Sequence, residues 1–138
     1  NVIHLTSGDG EPRILASIGI EIHNKVIQFC VTQLSYNGEV TPDVRAQQFA
    51  AVAEEIAKYD NVILGGNFYT HTLADFDPIV DKGFLLVNKP YDYMVTYNTG
   101  AALDNIVHSE IFTSSDKHVI DNDASDHYLL YATLTYRE

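Results

Sequence analysis

The chain has 138 residues, 46 % of them hydrophobic and 20 % charged, a balance that suits one domain with a real core and excludes a disordered chain. Its formal charge is −11, and its eight basic residues stand singly rather than in a stripe, which argues against a nucleic-acid-binding surface. No apolar run approaches the roughly 20 residues of a membrane-spanning helix.

Residues Asn1–Gly10 carry no periodicity beyond the SGDG turn signal and read as a loop. They show no charged-then-apolar leader, so any targeting signal is expected outside these residues. Ile14–Ile22 alternates, with Ile18, Ile20 and Ile22 on one face and Ser17, Gly19 and Glu21 on the other, which predicts a strand. His23-Asn24 supplies a tight hairpin turn into a second strand, Lys25–Leu34. That strand is apolar on both faces and is expected to be covered on both. Cys30 lies inside it and reads as a core thiol; a single cysteine fits cytosol and secretion equally.

Ser35–Thr41 is a polar loop with an Asn37-Gly38 turn. Thr41-Pro42-Asp43 then opens a helix: a hydroxyl N-cap, proline at the first helical position, and an acid that the helix dipole favours. The helix is predicted to run to about Tyr59, with Phe49, Val52, Ala53, Ile56 and Ala57 on its apolar face and Glu54 paired with Lys58 outside.

Asn61–Thr70 is the stretch around which the rest is organised. Val62, Ile63 and Leu64 read as a strand buried on both faces, and Gly65-Gly66 are expected to let the backbone turn after it. Asn67 and Tyr69 would then stand at the strand's carboxyl end, where open α/β sheets place their sites. Asp77-Pro78 is expected to open a short helix that Gly83 closes, ahead of the apolar Phe84–Val87. An aromatic loop with Tyr91, Tyr93 and Tyr97 follows. Leu103–Val107 reads as a strand, Asp116–Ile120 as a weaker one, Asp121–Asp126 as an acidic turn, and His127–Tyr136 as the last strand. His4, His23, His71, His108 and His118 share no metal-ligand spacing. Residues 1–138 therefore read as a single α/β domain, a mixed sheet with a helical layer. One long helix cannot cover both faces of such a sheet, so the bare face is expected to be covered by a second copy, a separately encoded half, or loops of this chain.

Four short stretches carry a family resemblance. Thr32-Gln33-Leu34-Ser35 is similar to a "THLS" strand end, Gly65–Thr70 to "GDFN", Leu103–Ile106 to "LD-x-I", and Ser125-Asp126-His127 to "SDH" before the last strand. A lesser match, Glu11-Pro12-Arg13, precedes the first hairpin. In this order, each on its expected element, they resemble the second half of the endonuclease/exonuclease/phosphatase superfamily of metal-dependent phosphoester hydrolases. The resemblance implies one half of a four-layer α/β sandwich. It also implies in-line attack of water on phosphorus, with negative charge growing on the phosphoryl oxygens. In that chemistry His127 would contact the phosphate, Asp104 would hold the His127 imidazole, and Asp126 would serve Mg²⁺.

Three positions depart from the pattern. Asn67 stands where the family has a water-activating aspartate, and an amide is no base near neutral pH. Tyr69 stands where it has an asparagine that donates to the phosphate, and Gln33 where it has a phosphate-contacting histidine. These changes imply a phosphodiesterase or phosphatase lineage whose ligand is a phosphorylated small molecule or phosphodiester, inactive or impaired as this chain stands. The alternative is a non-catalytic binding or assembly domain that uses the exposed sheet face.

Overall fold

In the computed structural model, which describes residues 1–137, six strands form one sheet and two helices lie on one of its faces. The first strand, β1 (Val2–Leu5), is an edge strand antiparallel to β2 (Arg13–Ile22). In sequence this segment reads as a loop, and the structure corrects that. Four residues with only Leu5 buried give too short a pattern to be told from coil.

The hairpin from β2 to β3 (Lys25–Gln33) turns at His23 (φ 49°) and Asn24 (φ 61°), both left-handed as a two-residue hairpin demands. β3 then crosses to β4 (Val62–Asn67) in parallel through α1 (Pro42–Ile56), with Thr41 Oγ1 accepting from the Val44 N–H at 3.4 Å. The buried stripe of α1 holds Phe49, Val52, Ala53 and Ile56 as the spacing demands, and also Arg45 and Gln48. Its last turn relaxes after Ile56, and Lys58 pairs with Glu55 while Glu54 reaches Lys82 at 2.7 Å, so the expected Glu54–Lys58 pair does not form.

The second helix, α2 (Leu73–Val80), begins five residues before the expected Pro78 start. Burial decides this: Phe76 and Ile79 are fully buried, and the Phe76 ring meets Phe49 at 5.3 Å and Phe68 at 5.1 Å. Such burial outweighs one backbone hydrogen bond lost to an interior proline. Gly83 follows at φ 89° and ends the segment as expected.

β5 (Leu85–Leu86) and β6 (Asp104–His108) complete a sheet of order β1-β2-β3-β4-β6-β5. β7 (Phe112–Ile120) and β8 (Leu129–Tyr136) form a separate antiparallel pair, with a register break between Ser115 and His118. This pair leans over β6, where Phe112 is buried and meets Tyr136 edge-on at 5.5 Å.

The helices cover one face of the large sheet and form the core with Leu15, Leu34, Val62, Leu64 and Phe68. The opposite face is not covered over β2 and β3. Ile18 is 62 % exposed and Val31 59 % exposed, with Ile14, Ile20 and Ile22 open beside them. The expectation that Lys25–Leu34 is covered on both sides holds only in part within this chain: Ile27 is buried on the open side, as Cys30 and Thr32 are beneath the helices, whereas Val26 and Val31 stand exposed.

Candidate functional site

Strand register builds one row of polar groups at the edge of the open face. Gln33 ends β3, Asn67 ends β4 and Asp104 begins β6. Gln33 pairs with Asn67 in the parallel ladder, and Asn67 pairs with Asp104 in the antiparallel one. A cavity of about 550 Å³ spans this row and is lined by Val31, Gly65, Gly66, Asn105, Ile106 and Tyr128 as well.

The two glycines act differently from the expectation. Neither has positive φ, and β4 runs straight through them to Asn67. Gly66 is required for close approach, since a Cβ there would lie 2.3 Å from the Thr32 carbonyl oxygen. A Cβ on Gly65 would meet nothing within 4 Å, so that residue simply leaves the cavity floor open. The turn itself falls on Tyr69, at φ 53°. Asn67 caps it: its Oδ1 accepts the Tyr69 N–H at 2.9 Å, an Asx-type turn. This leaves Asn67 Nδ2 as its free polar atom, a donor.

The Tyr69 hydroxyl accepts from Gln33 Nε2 at 3.2 Å, and its ring lies 5.8 Å from that of Tyr36. Gln33 and Tyr69 are thus joined to each other beside Asn67.

Asp104 and His127 form a short contact, Nδ1 to Oδ2 at 2.7 Å, with both side chains mostly buried. A carboxylate can only accept, so Nδ1 carries the proton and Nε2 is the ring atom left free. A loop holds His127 in place. Thr96 is fully buried; its hydroxyl accepts the Leu103 and Asp104 N–H groups, and its carbonyl accepts the Tyr128 N–H. Tyr97 packs on the His127 ring at 4.8 Å. The Asp126 carboxylate beside it is the main cause that pushes the Tyr97 phenol above its ordinary range, with burial adding to it. Asp126 itself is exposed. The sequence-derived set Gln33, Asn67, Tyr69, Asp104 and His127 therefore converges, and Asp126 adjoins it through the chain and through Tyr97.

Two supporting groups escaped the sequence reading. Arg45 donates to the carbonyls of Ser35 and Phe68, and Gln48 bonds the Ser35 backbone, the Ser35 hydroxyl and the Thr6 carbonyl. Together they tie the strand ends of β3 and β4 to α1. Buried Asn88 and Asn105 exchange hydrogen bonds and anchor the aromatic loop through Met94. The available signal was two polar residues, Arg45 and Gln48, on the face that Phe49 and Val52 bury. Cys30 is a buried free thiol, pushed up to about 11 by burial and by Glu55, and is no nucleophile.

Solved structures share this arrangement of strands and helices. An endonuclease/exonuclease/phosphatase from Beutenbergia cavernae superposes with TM-score 0.80 at 18 % identity, over 99 % of this chain and 44 % of its own. The fold is that of the endonuclease/exonuclease/phosphatase proteins. A Bacteroides thetaiotaomicron mannosyl-6-phosphatase matches at TM-score 0.70 and 18 % identity, over 93 % of this chain and 59 % of its own. D. rerio TDP2, complexed with a single-strand DNA product, matches at TM-score 0.73 and 14 % identity, over 98 % of this chain and 67 % of its own. The chain thus spans about half to two thirds of the proteins whose endonuclease/exonuclease/phosphatase fold it shares. No family model matches the sequence, and no curated protein sequence does.

The resemblance brings Mg²⁺ with it, but the groups present do not suffice to hold one. Among the described residues no three Asp, Glu, His or Cys side chains converge as a metal site would require. Asp104 is committed to His127, and Asp126 alone offers one carboxylate.

Proposed function

We propose that this chain is the second half of a phosphoester-binding domain of hydrolase descent, in which binding is retained and hydrolysis impaired. The observation that carries the reading is the Asp104–His127 contact of 2.7 Å beside Asn67 in one strand row. It fixes His127 against Asp104, which lines the cavity with Asn67, and leaves His127 Nε2 and Asn67 Nδ2 without partners among the described residues. A phosphoryl group offers acceptor oxygens, which suit the Asn67 Nδ2 amide donor, and His127 Nε2 donates to them when the ring carries its second proton. The water-activating aspartate that the resemblance implies is missing from the row: Asn67 is an amide, and the Asp104 carboxylate is already engaged. Given the net charge of −11, a small phosphorylated molecule or a short phosphodiester is the favoured ligand class over duplex nucleic acid.

Titration with a small phosphodiester, followed by ¹⁵N chemical shifts, tests the binding. The side-chain resonances of Asn67 and His127 are expected to move, and His127→Ala should weaken binding about tenfold. Hydrolysis is tested by restoring Gln33→His, Asn67→Asp and Tyr69→Asn together and adding the complementary half in trans. Phosphodiesterase activity should rise above the unmodified chain with the same partner. A blank in both experiments removes the reading. The second reading, an assembly domain, is favoured by the open isoleucine face of β2; it predicts shifts on that face with a protein partner and none at Asn67 with any phosphoester.

A further inference from the structure

At the far end of β6 from the candidate site, a second groove of about 360 Å³ lies between the end of α2, β5 and β7. Its walls are apolar: Val80, Phe84, Leu85, Leu86 and Phe112 line it, and Leu85 stands exposed on the free edge of the sheet. Tyr91, Thr113 and Ser114 bring hydroxyls to that lining, and His108, Lys89 and Arg137 bring nitrogen.

His108 is 1 % exposed and lines the groove. Its Nδ1 lies 2.9 Å from the Ser109 carbonyl oxygen. A carbonyl only accepts, so Nδ1 holds the proton, and Nε2 has no hydrogen-bond partner among the described residues. A ligand that brings a donor to Nε2 would pair an acceptor that no described residue pairs. Lys89 and Arg137 also line the groove. Neither forms an ion pair among the described residues; Lys89 sits 5.7 Å from the centre of the Tyr91 ring, and Arg137 is held by the Glu110 carbonyl. In a chain of net charge −11 with eight basic residues, two cations that no described carboxylate pairs lie together on one apolar groove.

We infer that this groove is a binding site for a small amphipathic carboxylate whose apolar body carries one hydrogen-bond donor, the class to which hydroxyaryl alkanoates belong. The carboxylate meets Lys89 and Arg137, the body lies on Phe84, Leu86 and Phe112, and the donor reaches His108 Nε2. The inference is independent of the phosphoester site, since the two share no lining residue.

The probes are 3-(4-hydroxyphenyl)propionate, 3-phenylpropionate, which lacks the donor, and 4-ethylphenol, which lacks the carboxylate. Titrations followed by ¹H–¹⁵N shifts should place the first on residues 84–89, 108 and 112–114, with affinity about tenfold above either truncated probe. His108→Leu keeps the volume and should erase the advantage over 3-phenylpropionate while leaving the fold intact. Lys89→Gln with Arg137→Gln should erase the advantage over 4-ethylphenol. Saturable shifts confined to Ile14, Ile18 and Val31 would mean adsorption on the open sheet face and would overturn the site. So would equal binding of all three probes, or no saturable shift at low-millimolar concentration.

Discussion

Position 69 shows how backbone geometry constrains the choice of side chain. Tyr69 holds φ 53°, a region in which asparagine is several-fold enriched and bulky residues carry strain of order 1 kcal/mol. An asparagine, which the motif resemblance implies at this position, would fit that backbone; the tyrosine here is held by Gln33 and by packing on Tyr36. Tyr69→Asn should therefore cost little, with denaturant midpoints showing a change within about 0.5 kcal/mol and in the stabilising direction if backbone strain outweighs the lost contact. Glu39 offers a second test at this scale. Burial acts to raise its carboxyl, but the Glu11 N–H and the Arg13 guanidinium, 2.8 Å away, outweigh it and hold the group below its ordinary 4.5. A depressed folded-state value means that the stabilisation is complete above pH 4.5 and is lost as pH falls through the lower folded value. Arg13→Met should shrink that acid loss, read as a shallower fall of thermal midpoint below pH 4.5.

Among the elements, what could be read in advance was whatever local chemistry and tertiary packing agreed upon. The His23-Asn24 hairpin, the Thr41-Pro42 helix start and the Val62–Leu64 run each carried a local signal that the core also rewards. β1 was illegible because an edge strand of four residues needs its partner β2 to exist. α2 was misplaced because Asp77-Pro78 is a sound helix start by local rules, while Phe76 is drawn one residue earlier into the Phe49–Phe68 pair. In the site, Gln33, Asn67, Tyr69, Asp104 and His127 were legible from motif order. The Asn88–Asn105 exchange was not, since no local pattern links residues seventeen apart in sequence. The conflict inside α2 is measurable. Pro78→Ala restores a backbone donor and should stabilise by about 1 kcal/mol, whereas Phe76→Ala should destabilise by about 3–5 kcal/mol and loosen the aromatic core. Hydrogen exchange on α2 amides distinguishes the two: slower in the first, globally faster in the second.

For the molecule as a whole, the question is what meets the open face of the sheet. Ile14, Ile18, Ile20, Ile22 and Val31 form a contiguous apolar surface, and the shared fold extends well past this chain's length in the proteins that resemble it. Each of those side chains gains of order 1 kcal/mol or more on leaving water, so five together favour association strongly. We expect the isolated chain to self-associate, with sedimentation velocity showing a dimer or larger species that grows with concentration, and to bind a hydrophobic dye. Ile18→Glu with Val31→Glu places charges in the middle of that surface; it should return a monomer and abolish dye binding without moving far-UV circular dichroism. A complementary half added in trans should compete with self-association and suppress dye binding, because one partner satisfies the same surface. A native chain that stays monomeric at high concentration and binds no dye would show that water is tolerated on this face. The assembly reading would then fall, and the phosphoester site would have to be complete without a partner.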